Sequence, residues 1–85
     1  MHFVREVEYL SEYRLLLSFE DGSRRQVDLL PHLNGPIFEP LKNIDNFKTV
    51  KVNPELDTIV WNNGADMSPD FLYEIGVSQA ERGVR

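Results

Sequence analysis

Trp61 to Tyr73 reads W-N-N-G-A-D-M-S-P-D-F-L-Y, and this stretch decides the fold because it hands a strand over to a helix. The strand comes first: T-I-V-W-N over 58–62 is β-branched and aromatic, and Asn62-Asn63-Gly64 closes it. The helix signal follows at Ser68-Pro69-Asp70. Serine suits the N-cap, proline the first helical position, and an aspartate in the first turn favours the positive end of the helix dipole. Phe71 stands where a capping box would place Glu or Gln, so the box is incomplete. Phe71, Leu72 and Ile75 make an apolar stripe at helical spacing, and Gly76 is the expected stop. The spacing predicts a helix over 69–76.

Working back toward the N-terminus, the pattern is all strand. Residues 3–9 and 13–19 are apolar and β-rich, with Leu10-Ser11-Glu12 as a turn between them. Asp21-Gly22 then marks a hairpin into a third strand over 24–30. Leu15, Leu17 and Phe19 share one face, as do Val27 and Leu29, so odd residues must oppose odd. A two-residue loop would set Leu17 against Gln26. A three-residue loop, Glu20-Asp21-Gly22, sets Leu15 against Val27 and puts Gly22 where a left-handed glycine is needed. Pro31, Gly35-Pro36 and Pro40 break up the middle, leaving room for one short helical turn near 38–43, with Ile37, Phe38, Leu41 and Phe47 as core plugs. Residues 48–53 alternate and complete the set. The expected class is α+β: a five-stranded, mostly antiparallel sheet (3–9, 13–19, 24–30, 48–53, 58–62), a short middle helical turn and one C-terminal helix near 69–76. One domain spans 1–76, and 77–85 is a solvated tail.

Composition removes several classes of function. The chain of 85 residues has no cysteine, which excludes disulfides, thiolate metal sites and cysteine nucleophiles. No apolar run approaches the roughly 18 residues of a membrane span. The N-terminus alternates and carries acids, unlike a secretory leader, so the cytoplasm is the expected compartment. A formal net charge of −5, with Arg24-Arg25 flanked by Glu20, Asp21 and Asp28, disfavours direct contact with nucleic acid.

The order of these signals resembles a family. An F-E-D-G-S hairpin, V-D-L after it, Phe47 before V-K-V, and above all W-x-N-G-A-D-x-x-P-x-x-L-Y resemble the bacterial domain of unknown function 2442 family (DUF2442) over about residues 3–75. Trp61, Asn63, Gly64, Ala65, Asp66, Pro69, Leu72 and Tyr73 fill the last block; Asn62 stands where members often carry proline. The resemblance implies a small α+β fold with an antiparallel sheet and supplies no activity. It also implies, for stand-alone members, an antitoxin-like pairing with a neighbouring small protein.

Each residue with chemistry has a structural reading beside it. His2 and His32 lack the spacing of a metal site, and no metal or other cofactor is expected. Asp66 and Asp70 bracket the helix start and read either as an acid–base or cation-binding pair or as loop and dipole partners. Ser68 lacks a G-x-S-x-G elbow and reads as a cap. Trp61 reads as core or as a stacking anchor. The candidate loop site is therefore Trp61, Asn63 and Asp66; a deep polar cleft joining Asp66, His32 and Asn63 would mark a small ligand-binding or enzymatic domain. The candidate interface is Leu16, Leu30 and Tyr13 on the sheet face away from the helix. With no catalytic motif, the expected function is a non-catalytic interaction module that binds a protein partner or itself, with no direct contact to nucleic acid or membrane.

Overall fold

The computed structural model describes residues 2–78. Strands β1 (Val4–Ser11), β2 (Arg14–Phe19) and β3 (Arg24–Asp28) form an antiparallel meander. Short 3-10 helices follow at Leu30–His32 and Glu39–Lys42, then a single turn α1 (Ile44–Phe47). Strands β4 (Lys51–Asn53) and β5 (Thr58–Val60), helix α2 (Pro69–Ile75) and strand β6 (Val77–Ser78) complete the order.

The β2–β3 hairpin forms as its register requires. Leu15 faces Val27, and the Phe19 N–H donates to the Ser23 carbonyl at 2.9 Å. Gly22 has φ +88°, a backbone conformation that a side chain would strain. Alternation then sends Leu15, Leu17, Phe19, Val27 and Leu29 into the core.

One expected sheet proves to be two. The larger has the order β1-β2-β3-β6, and β4 pairs only with β5. The third strand stops at Asp28 instead of continuing to residue 30, because Leu30-Pro31 turns into a 3-10 helix; Pro31 has no N–H for a ladder. The free edge of β3 is taken by β6, whose Val77 pairs with Gln26 and Ser78 with Arg25. Residues 77–78 are therefore sheet and not tail; the remainder of the expected tail lies outside the described residues. The fourth strand begins at Lys51 and not at 48, since Asn43 accepts the Asp45 N–H at 2.9 Å and caps α1, and the chain leaves that turn only after Lys48. Strand five ends at Val60 because Trp61 already belongs to a turn. The middle contains the expected helical turn, but Ile37 is 47% exposed and is not a core plug, whereas Leu41 and Phe47 are buried.

Helix α2 starts as its signals dictate: the Ser68 hydroxyl accepts the Phe71 N–H at 3.4 Å, with Pro69 at the first position. It stops at Gly76 as expected, but by a different cap. Gly76 is extended, at φ −75°, and not left-handed. A Cβ there would lie 2.7 Å from Arg25 Cβ, so close approach to β3 is what requires glycine. The two sheets are tied where the Val4 N–H donates to the Asp57 carbonyl at 2.9 Å and Arg5 bridges Asp57, at 3.0 Å, and Glu20.

Trp61 is 2% exposed and its Nε1–H donates to the Phe47 carbonyl at 3.0 Å. Truncating a buried aromatic of this size costs about 3–5 kcal/mol. Urea unfolding of Trp61→Ala followed by circular dichroism should show that loss; one below about 1 kcal/mol, the size of a single net hydrogen bond, would contradict a core role.

Candidate functional site

The structure gives most residues of the expected loop site a structural job. Trp61 is the core group just described, with its ring against Phe47 and Phe38. Asn63 donates from Nδ2 to the Ile37 carbonyl at 2.8 Å and accepts the Ala65 N–H on Oδ1 at 3.1 Å. Asp66 is exposed and bridges back to Val60. Asp70 accepts the His2 backbone N–H at 2.9 Å, and Ser68 is the helix cap. Asp66, His32 and Asn63 do not converge: Asn63 and His32 line different clefts, and Asp66 lines neither.

The expected interface separates as well. Leu16 is on the outer face of the large sheet, between Glu8 and Gln26, and is only 9% exposed. Tyr13 turns to the inner side, its ring edge-on to Phe47 at 5.3 Å and its hydroxyl donating to the Lys42 carbonyl. Strand parity is the reason: residue 13 shares a face with Leu15, not with Leu16. Leu30 leaves the sheet because β3 has ended, and it stands 46% exposed on a 3-10 helix.

Two clefts remain. The first, about 230 Å³, is lined by Pro40, Leu41, Asn46, Thr49, Asn62 and Asn63, with no ionisable side chain in its wall. Thr49 Oγ1 accepts the Asn62 N–H at 3.3 Å, and Asn46 Nδ2 donates to the Pro40 carbonyl at 3.0 Å. The second, about 190 Å³, is lined by Gln26, Asp28, His32, Ile75 and Val77. It is a corner between the 3-10 helix, the end of α2 and β6. Val77 is 51% exposed, and Leu30 stands on the same 3-10 helix as His32, whose ring meets Phe71 edge-on at 5.1 Å. The Leu29 N–H bonds to Tyr13 across β2, so the main-chain N–H and C=O of Asp28 point the other way, where β6 no longer reaches. This corner carried no sequence motif. Its signal was Val77, set aside with the tail.

A cationic and aromatic stack holds the corner's helix to the sheet. Arg25 lies opposite Leu17 on the core side, and its guanidinium carbon is 3.8 Å from the centre of the Tyr73 ring. The His2 ring stacks on Tyr73 at 3.6 Å with planes 6° apart. Two groups so close to one ring centre must occupy opposite faces, so Tyr73 is sandwiched. Arg25 Nη1 also donates to the carbonyls of Tyr73 (3.3 Å) and Gly76 (3.2 Å), satisfying the helix C-terminus. The Tyr73 hydroxyl donates to Asp21 Oδ2 at 3.0 Å. Asp21 Oδ1 accepts from the Ser23 hydroxyl and N–H. These bonds, Ser23's hydroxyl foremost, hold the Asp21 carboxyl below the usual aspartate range.

Two antiparallel sheets and a short helix define a small α+β domain. The chain belongs to the family of proteins of unknown function DUF2442, which matches residues 4–78. No curated protein and no solved structure matches it. Among the described residues, no helix is long and apolar enough to cross a membrane, and no group of three or more His, Asp or Glu is placed to hold a metal.

Two measurements check this geometry. A depressed folded pKa stabilises the fold above the unfolded aspartate value of about 3.9 and loses that effect as pH falls through the folded value. Carboxyl NMR titration should find Asp21 below the ordinary range; Ser23→Ala should raise it more than Tyr73→Phe. Separately, Gly76→Ala should lower stability by about 1–3 kcal/mol in thermal melts, through overpacking against Arg25; a neutral result would mean that the approach of α2 to β3 relaxes freely.

Proposed function

We propose that this chain is a non-catalytic interaction module whose docking site is the corner lined by Gln26, Asp28, His32, Ile75 and Val77. The exposure of Val77 in that corner carries the reading, with Leu30 exposed on the 3-10 helix that brings His32 to its wall. An exposed apolar side chain beside strand backbone that has no partner among the described residues suits a peptide segment, which can supply both an apolar anchor and main-chain partners for Asp28. Asp28 in the wall and a net charge of −5 favour a partner segment with a flanking cation. The groups that would otherwise invite a catalytic reading support this one through their existing work: Ser68 caps α2, and Asp70 holds the N-terminal backbone. Family resemblance points to a neighbouring small protein as the partner, in an antitoxin-like pair.

The test is a double substitution, Leu30→Ser with Val77→Ser. Both side chains are exposed, so the fold should be spared. Titration calorimetry with the protein that co-purifies from the host should show affinity reduced roughly tenfold or more, as for central apolar contacts. Unchanged affinity in the folded variant would remove the corner from the interface.

A second reading rests on the other cleft. Asn62 and Asn63 of the motif loop line it, and its uncharged amide wall suits a small neutral polar ligand. Shifts confined to the Asn46 and Asn62 side-chain amides on adding a neutral sugar or a simple amide would favour this reading over the corner.

A further inference from the structure

Three positions place aspartate or asparagine directly before glycine: Asp21-Gly22, Asn34-Gly35 and Asn63-Gly64. Such pairs share one chemistry. Glycine offers no side chain to obstruct its own nitrogen, which can close a five-membered succinimide on the preceding side chain. Whether it does depends on what holds that nitrogen and that side chain.

Two of the three pairs are clamped in the same way. The Gly22 N–H donates to the Phe19 carbonyl and the Gly64 N–H to the Trp61 carbonyl, each at 3.0 Å. On the side-chain side, Asp21 Oδ1 accepts the Ser23 N–H at 2.9 Å, and Asn63 Oδ1 accepts the Ala65 N–H at 3.1 Å. The Asn63 amide nitrogen is held as well, by the Ile37 carbonyl. The nucleophile and the electrophile are thus both committed to the turn. Asn34-Gly35 differs. Both residues are exposed, and the Asn34 amide nitrogen donates to the Pro31 carbonyl at 3.0 Å. Neither Asn34 Oδ1 nor the Gly35 N–H has a hydrogen-bond partner among the described residues. The Gly35 carbonyl accepts from Phe38 and Glu39, which fixes the loop beyond the reacting atoms and not the atoms themselves.

We infer that Asn34 is a self-modification site of the folded protein, and that Asn63 is protected by its turn. The Gly35 main-chain nitrogen gives up its proton and attacks Asn34 Cγ. The new C–N bond forms, the Cγ–Nδ2 bond breaks, and the side-chain nitrogen leaves as ammonia with that proton. Water then opens the succinimide at either carbonyl, leaving aspartate or isoaspartate. The product adds one negative charge to a chain already at −5, in the loop that follows the 3-10 helix bearing Leu30 and His32. The inference is independent of the docking reading.

The experiment ages the folded chain in mildly alkaline buffer and maps its peptides by mass spectrometry, beside a sample held in denaturant. Each net hydrogen bond shifts a local opening by roughly fivefold, so clamps of two or more bonds should leave Asn63 at least about tenfold slower than Asn34 in the folded sample. In denaturant the two should convert at similar rates. Equal conversion of both sites in the folded chain, faster conversion at Asn63, or an inert Asn34 while the denatured sample reacts would each overturn the inference.

Discussion

Phe47 is the residue on which the rest of the structure leans. It ends a single helical turn, yet aromatic rings from three other segments close on it: Tyr9 from β1 at 6.2 Å, Tyr13 from the first turn at 5.3 Å and Trp61 from the turn after β5 at 5.9 Å. Its carbonyl takes the indole N–H of Trp61. Edge and tilted aromatic contacts of this kind contribute about 0.5–1.5 kcal/mol each beyond the area they bury. The segment from 31 to 47 has three prolines and no ladder of its own, so packing must hold it. Phe47 performs that task, and in doing so it spans the gap between two sheets that share no ladder.

The stretch most like a motif proves to be a second copy of the β2–β3 hairpin loop. Phe19–Ser23 and Trp61–Ala65 have the same bonds: first residue N–H to fifth residue carbonyl at 2.9 Å, fourth residue N–H to first residue carbonyl at 3.0 Å, and a left-handed glycine in the fourth place. Asn63 and Gly64 are thereby explained as turn chemistry, like Asp21 and Gly22. Chemistry at the surface has to be sought elsewhere, where side chains are exposed without a structural partner. That moves attention to the corner at Val77.

Local signals were legible in the sequence where they are set by two or three adjacent residues. The Gly22 loop and its register, the Ser68 cap and the buried Trp61 all follow from turn, capping and burial rules acting within a few positions. The division into two sheets was not legible, because it depends on which strand wins the free edge of β3. Val77-Ser78 wins it with only two described residues, too short a run for periodicity to register. The three residues of the interface set do not share one face, for a related reason. Tyr13, Leu16 and Leu30 look alike as apolar residues near one sheet, but parity turns Tyr13 inward and a proline removes Leu30 from the strand.

What places β6 on that edge is a charge set inside an apolar layer. Arg25 is opposite Leu17, on the face where a hydrophobic residue is expected, and a cation there needs compensation. It finds the Tyr73 ring and the last carbonyls of α2, the negative end of the helix. Pairing Arg25 Nη1 with those carbonyls draws the C-terminus of α2 down onto β3, and the contact is close enough that only glycine fits at 76. The chain leaving Gly76 is then already beside β3 and pairs with it. Val77 faces outward opposite Gln26 as a direct result, and the corner acquires its apolar wall. Arg25, a cation on the core face of the sheet, is thus the residue that builds the surface where docking is proposed.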